Sequence, residues 1–172
     1  MKRFFCLFIT LLTLFLFPAC RSNTGNSSDL VRFYYPRIDP TYASEDSVIA
    51  SEVQDELSRS SNLAYLLAHY LNGPTDNRLY SPFPNGLRIE DLQMLNDELT
   101  VTFTTHLTEL TDYELTKACA CFAMTCMDLT NAGEVTICTI DSDRKVQIIM
   151  SLTSEDFILM DLTPNPTNGG TE

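Results

Sequence analysis

Residues 111–129 have the strongest helical pattern of the chain and read Thr111-Asp-Tyr-Glu-Leu-Thr-Lys-Ala-Cys-Ala-Cys-Phe-Ala-Met-Thr-Cys-Met-Asp-Leu129. It begins with a capping box, in which the side chains of Thr111 and Glu114 each satisfy a free amide of the first helical turn. Apolar side chains then recur at helical spacing, and much of the opposite face is also small or apolar. We therefore predict a deeply buried helix, with an apolar face made of Leu115, Ala118, Cys119, Phe122, Cys126 and Leu129.

Strand patterns lie on both sides of this helix. Before it, residues 87–95 and 99–105 flank the turn Asn96-Asp-Glu98, which is the layout of a β-hairpin. Apolar residues alternate with threonines in the second of these strands, so one of its faces should be buried and the other exposed. After the helix, Asn131-Ala-Gly133 ends it, and residues 135–140 have the composition of a strand.

A shorter helix is predicted nearer the N-terminus. Ser60-Ser-Asn62 offers N-cap residues, and Asn72-Gly-Pro74 ends the helix because glycine accepts left-handed geometry and proline cannot continue it. Between these signals one apolar stripe at helical spacing consists of Leu63, Leu66, Leu67, Tyr70 and Leu71.

The remaining apolar segments are candidate strands of the sheet. Residues 32–36 read as a first strand, whereas the periodicity of the segment from Ser47 to Leu57 fits either a strand or a helix. Two later runs, residues 146–150 and 157–162, can each add a strand. We predict the α+β class, with a mixed, largely antiparallel sheet and two helices packed on one face.

The N-terminus has the composition of an export signal. Lys2 and Arg3 precede a run from Phe4 to Phe17 that is almost wholly apolar and too short for a comfortable transmembrane helix. Pro18 and a small residue then precede Cys20, as in a bacterial lipobox, where the thiol takes a diacylglycerol and the signal is cut in front of it. We expect lipid on Cys20; the alternatives are an ordinary secretory signal or an uncleaved anchor.

These signals give the expected organisation of the chain. Residues 1–19 are a signal peptide, 20–30 a flexible tether, 31–162 one domain and 163–172 a disordered tail. The signal peptide contains Lys2 and Arg3, two of the 11 basic residues, and no acidic residue. The chain without it has 9 basic and 23 acidic residues, so its net charge is −14. So acidic a chain repels phosphate backbones, which argues against nucleic acid as a partner and leaves membrane contact to the lipid.

Three stretches together resemble the GerMN domain of bacterial sporulation and spore-germination proteins. The first, residues 64–74, is a leucine-rich helix that ends in Gly-Pro, and the second, Ser81-Pro-Phe-Pro-Asn-Gly86, is a turn followed by paired strands. The third, Cys121-Phe-Ala-Met-Thr-Cys-Met-Asp-Leu129, leads into the strand Val135-Thr-Ile-Cys-Thr-Ile-Asp141. The resemblance covers about residues 32–141.

The resemblance implies a β-rich sheet with two helices, similar to ring-building modules of membrane-spanning assemblies. It favours a strand between Ser47 and Leu57. It also implies an extracytoplasmic lipoprotein of sporulation, germination or envelope assembly, and it brings no catalytic residues.

The cysteines leave two structural alternatives. With Cys20 lipidated and Cys6 removed, Cys119, Cys121, Cys126 and Cys138 remain. The first three share one helix, where residues seven apart are about 10 Å apart and cannot form a disulfide. Buried free thiols are the first expectation, and a disulfide that includes Cys138 is the second. No zinc site is expected, because the spacing lacks the C-x2-C pattern.

The histidines and the acidic pairs do not form a recognised catalytic or metal-binding motif. His69 and His106 could act as bases, but no nucleophile elbow, zinc-protease motif or phosphate loop accompanies them. The acidic pairs, such as Glu90-Asp91, lie in predicted turns and strand ends and lack a calcium-loop pattern. We expect no enzyme activity, no cofactor and no metal.

We predict a non-enzymatic scaffold domain for protein interaction, lipid-anchored on the outer face of the cytoplasmic membrane. Its partner would be another envelope protein, and homo-oligomers are compatible with the sequence. The alternative is a module that binds cell-wall glycan or a small ligand, which a grouping of Tyr34, Tyr35 and Tyr80 around a cleft would favour.

Overall fold

A computed structural model describes residues 30–39, 48–104, 107 and 109–157. The elements in chain order are β1 (Val31–Pro36), β2 (Ile49–Gln54), α1 (Leu63–Leu71), β3 (Ile89–Leu95), β4 (Glu98–Phe103), α2 (Asp112–Thr130), β5 (Glu134–Ile140), β6 (Val146–Thr153) and a 3-10 helix (Ser154–Phe157). The predicted signal peptide, the tail and all but the last residue of the tether lie outside the described residues.

The strands form two sheets. β1 pairs antiparallel with β2, and the larger sheet has the order β3-β4-β5-β6. β4 and β5 are parallel because α2 carries the chain from the end of one to the start of the other, whereas the two outer pairs are antiparallel. The predicted α+β fold with mostly antiparallel strands and two helices is confirmed, but its strands are divided between two sheets.

Helix α2 lies at the centre of the core. The predicted capping box is present, with the Glu114 carboxylate accepting from both the amide and the hydroxyl of Thr111. Asn131 ends the helix with a left-handed φ of 58°. Seven of its residues are buried, namely Ala118, Cys119, Cys121, Phe122, Ala123, Thr125 and Cys126.

The connection from α2 to β5 passes close to the β3–β4 turn. The amides of Gly133 and Glu134 both donate to the Asp97 carbonyl, at 2.9 and 3.2 Å. A Cβ on Gly133 would lie 2.3 Å from Asp97 Oδ2, so any other residue there would have to displace that carboxylate. Glycine thus lets the two connections meet.

Helix α1 follows the predicted signals. Asn62 Oδ1 accepts a hydrogen bond from the Ala64 amide at 2.8 Å, and Gly73 follows the helix with a φ of 93°. Its core-facing side chains are Leu66, Leu67 and Tyr70.

Thr125 joins the smaller sheet to α2. Its buried hydroxyl accepts from the Tyr34 amide at 3.0 Å and donates to the Cys121 carbonyl at 2.9 Å. The Tyr34 amide therefore takes no part in the β1–β2 ladder, and this edge of β1 faces the helix. A helix side chain thus satisfies the Tyr34 amide, and no described strand pairs with β1 on this side.

Two tyrosine hydroxyls complete this junction. Tyr35 Oη donates to the Tyr70 carbonyl at 2.7 Å, and Tyr70 Oη donates to the Tyr34 carbonyl at 3.0 Å. The rings of Tyr35 and Tyr70 stack with centroids 4.7 Å apart. Burial raises the pKa of both hydroxyls, so they remain donors throughout the physiological range. Around them pack Phe33, Phe83, Phe103 and Phe122.

The structure shows which of the uncertain apolar segments form strands. The segment between Ser47 and Leu57 contains strand β2, as the resemblance implied. The run at residues 146–150 is part of β6, whereas Phe157 belongs to the 3-10 helix and residues 158–162 lie outside the described part.

The Thr125 junction gives a stability prediction. Replacing Thr125 by valine keeps its shape but leaves the partly buried Tyr34 amide without its acceptor, which should lower the free energy of unfolding by about 1–3 kcal/mol. Thr116 on the same helix makes the equivalent bond to the Asp112 carbonyl but is exposed. Thr116→Val should therefore change stability by less than about 0.5 kcal/mol. Urea unfolding of both variants measures the difference, and equal effects would contradict this role for Thr125.

Candidate functional site

The four cysteines of the predicted domain are free and buried. Burial raises the pKa of Cys119 and of Cys121 to about 12, and it also raises the pKa of Cys126 and Cys138. These thiols therefore stay protonated at neutral pH, which suits packing better than nucleophilic attack or metal binding. Strand alternation puts Cys138 on the face of β5 that points away from α2. A disulfide to Cys138 stays a prediction.

The histidines and acidic residues are dispersed. His69 is exposed on α1, with its ring 6.1 Å from that of Tyr65, and His106 lies outside the described residues. Glu90 and Asp91 are exposed on β3. Within the described part of the chain, no three His, Cys, Asp or Glu side chains are grouped so that they could hold a metal ion.

A groove lies between α1 and β3. It has a volume of about 730 Å³ and is open to solvent along its length. Ala64 and Ala68, one turn apart on α1, form one wall because their small side chains leave the space free. The floor is apolar and includes Leu71, Phe83, Leu87 and Leu92.

The opposite wall is an edge of the larger sheet. β3 pairs with β4 on one side only, so its other edge has no strand beside it among the described residues. Arg88, Glu90 and Asp91 line the groove here, which gives it a charged rim above an apolar floor. An apolar channel beside unpaired backbone groups can accept an extended peptide as an additional strand.

A smaller pocket of about 190 Å³ lies on the other side of the segment from Ser81 to Pro84. Lys117 Nζ lies 5.2 Å from the ring centroid of Tyr80 and 4.8 Å from that of Tyr113. A hydrogen bond with Tyr80 raises the pKa of Lys117.

The grouping of tyrosines considered from the sequence does not form. Tyr35 is buried in the core, Tyr34 is tied to α2 through its backbone, and only Tyr80 lines the smaller pocket. Sequence reasoning missed both Tyr113 and the groove. The signal for the groove was a pair of alanines, Ala64 and Ala68, at the border of the leucine stripe of α1, on the same side as Leu71.

No described helix is long and apolar enough to cross a membrane. A family model with the description "Germane: Sporulation and spore germination" matches residues 32–149, more than half of the chain. No curated protein and no solved structure has significant similarity to the chain.

Proposed function

The chain belongs to the Germane family of sporulation and spore germination, and from this premise we propose that it is a membrane-tethered, non-enzymatic interaction domain of the cell envelope. A role related to sporulation or germination follows from the family itself. The proposed part is the mode of action: the domain holds a partner protein at the membrane surface and carries out no reaction.

The groove between α1 and β3 carries this proposal. Its apolar floor offers burial for side chains of a partner, and the edge of β3 that has no strand beside it in the described part of the chain offers backbone hydrogen bonds. Backbone bonds give affinity in this mode of recognition, and alternate side chains that enter the groove give specificity. The groove is therefore better suited to an extended protein segment than to a small substrate.

Charge narrows the chemistry of that segment. Glu90 and Asp91 are exposed along β3, and the chain without its predicted signal carries a net charge of −14. A partner segment with apolar residues and flanking lysine or arginine would meet both the floor and the rim, and the acidic surface would speed its approach. We propose an envelope protein with such a segment.

The tether is the second part of the proposal. The apolar run before Cys20, the charged residues in front of it and the polar residues after it support export and lipidation on the outer face of the cytoplasmic membrane. A tether that precedes Leu30 would hold the domain close to the membrane surface, where an envelope partner can reach the groove.

A glycan-binding or small-ligand module is the alternative, and one observation favours it. Tyr113 is 69% exposed, and it meets Tyr80 at Lys117 beside the smaller pocket. Exposed aromatic rings with a polar neighbour can stack on sugar rings. The site is small and shallow, so the groove remains the stronger candidate.

Filling the groove should abolish partner binding. Ala68→Arg places a long side chain in the groove without touching the core, because Ala68 is exposed. The neighbouring His69→Arg variant adds the same charge outside the groove lining and serves as the control. We expect the tagged full-length chain to retain an envelope protein from detergent-solubilised membranes, with at least about tenfold less retained by Ala68→Arg, measured by quantitative mass spectrometry.

Two results would contradict the interaction proposal. Equal retention by both variants would exclude the groove as the binding surface. Absence of a retained protein, together with sedimentation of the chain with purified cell wall that is lost in Tyr113→Ala, would favour the glycan alternative.

The lipid anchor has its own test. Cys20→Ala removes the thiol that would take the diacylglycerol, and without it the remaining contacts with an anionic surface are repulsive. We expect the wild-type chain to incorporate labelled fatty acid and to fractionate with membranes, and the variant to incorporate none. Labelling that persists in Cys20→Ala would show that the lipidation site is elsewhere.

A further inference from the structure

Strand β6 is an exposed edge of unusual composition. Its sequence, Val146-Gln-Ile-Ile-Met-Ser-Leu-Thr153, contains no charged residue and no proline. It pairs with β5 on one side, and among the described residues no strand lies on its other side. Val146 and Ile148 remain 63% and 66% exposed on the face that points away from α2.

The opposite edge of the same sheet is protected. β3 carries Glu90 and Asp91, and its register shifts between Ile89 and Asp91, both of which discourage uncontrolled strand pairing. β6 carries no such charge, although its register with β5 also shifts, between Ile137 and Cys138. An uncharged, apolar edge of eight residues in so acidic a chain indicates that something covers it.

Charges at the two ends of β6 identify what covers it. Arg144 and Lys145 precede the strand, and Glu155 and Asp156 follow it, all four exposed. Neither Lys145 nor Glu155 forms an ion pair within the part of the chain that the structure describes. The two residues next to the start of the strand are thus basic, with Asp141 and Asp143 farther out in the turn, and acidic residues of the 3-10 helix follow its end. In an antiparallel pair of such strands, the basic residues of each copy lie near the acidic residues of the other.

We propose that β6 pairs antiparallel with β6 of a second copy of this chain about a two-fold axis. Ile148 then lies opposite Ser151 of the second copy, and Val146 opposite its Thr153, so the outer faces of both sheets continue into one another. Lys145 and Arg144 of each copy lie beside Glu155 and Asp156 of the other. The two sheets of four strands become one sheet of eight.

This pairing is independent of the proposed function. The groove beside β3 lies at the opposite edge of the sheet, so a dimer through β6 leaves both grooves free. The competing occupant of the β6 edge is the chain's own apolar segment at residues 158–162, which follows the 3-10 helix.

A charge swap tests the proposal. Two differently tagged copies of the full-length chain are co-expressed, solubilised in non-ionic detergent and purified through one tag, and the amount of the second copy is measured. Lys145→Glu brings two carboxylates together at each contact, and Glu155→Lys brings two ammonium groups together, so each variant alone should lose about tenfold or more of the co-purified copy. Glu56→Lys, with the same charge change at an exposed turn far from β6, should lose none.

Rescue makes the result specific to this geometry. The double variant Lys145→Glu, Glu155→Lys should recover co-purification, because it restores opposite charges at both contacts. Co-purification should also recover when one copy carries Lys145→Glu and the other carries Glu155→Lys. One contact of this mixed pair then joins the unchanged Lys145 to the unchanged Glu155. The other contact joins the new glutamate to the new lysine. The two positions lie beyond opposite ends of the eight-residue strand β6, whose own length is roughly 25 Å, so repair within one copy is excluded.

Two outcomes would overturn the proposal. Loss in the single variants without rescue in either combination would exclude the antiparallel arrangement. Wild type that never co-purifies with itself would exclude the dimer and favour residues 158–162 as the occupant of the edge.

Discussion

The rest of the structure depends on one buried helix that serves two sheets. Helix α2 crosses from β4 to β5 in the larger sheet, and through Thr125 it also accepts the Tyr34 amide of the smaller sheet. A second tie acts at its C-terminal end, where Arg59 donates to the carbonyl and the carboxylate of Asp128 and to the carbonyl of Leu30. Cations at the carboxyl end of a helix are favourable, so this pair also suits the helix dipole. The start of the domain, β1 and α2 are thereby held together.

This arrangement decides which surfaces are left for partners. Because β4 and β5 are each paired on both sides, the backbone groups of the larger sheet that have no strand partner among the described residues lie on its two edges, β3 and β6. The two edges differ in character: β3 is acidic and lies beside a groove with an apolar floor, whereas β6 is neutral and carries opposite charges at its ends. This difference is the reason for proposing a different partner for each edge, a foreign basic segment at β3 and a second copy at β6. In a domain tethered to a membrane, a dimer would present two grooves side by side and strengthen binding to a partner that is itself repeated.

Local signals in the sequence predicted the helices and most of the strands. The features that the sequence did not predict depend on contacts between residues far apart in the chain. The capping box at Thr111 and the N-cap at Asn62 act on neighbouring residues, so both helices could be placed from the sequence. The outer edge of β1 is bonded to α2 through Tyr34 and Thr125, which are 91 residues apart, and no local pattern encodes such a bond. The groove likewise arises only when two alanines of α1 come to face β3. The grouping of tyrosines failed because aromatic residues in a strand are as often core as surface, and Tyr35 is core.

Thr125 should make the smaller sheet part of the same cooperative unit as the larger one. Native-state hydrogen exchange tests this most directly, because it gives an opening free energy for each amide. We expect the Tyr34 amide to exchange through global unfolding, with the same opening free energy as the amides of β4 and β5. If the amides of β1 and β2 instead exchange together at an opening free energy several kcal/mol lower, the smaller sheet unfolds on its own and the claim is wrong.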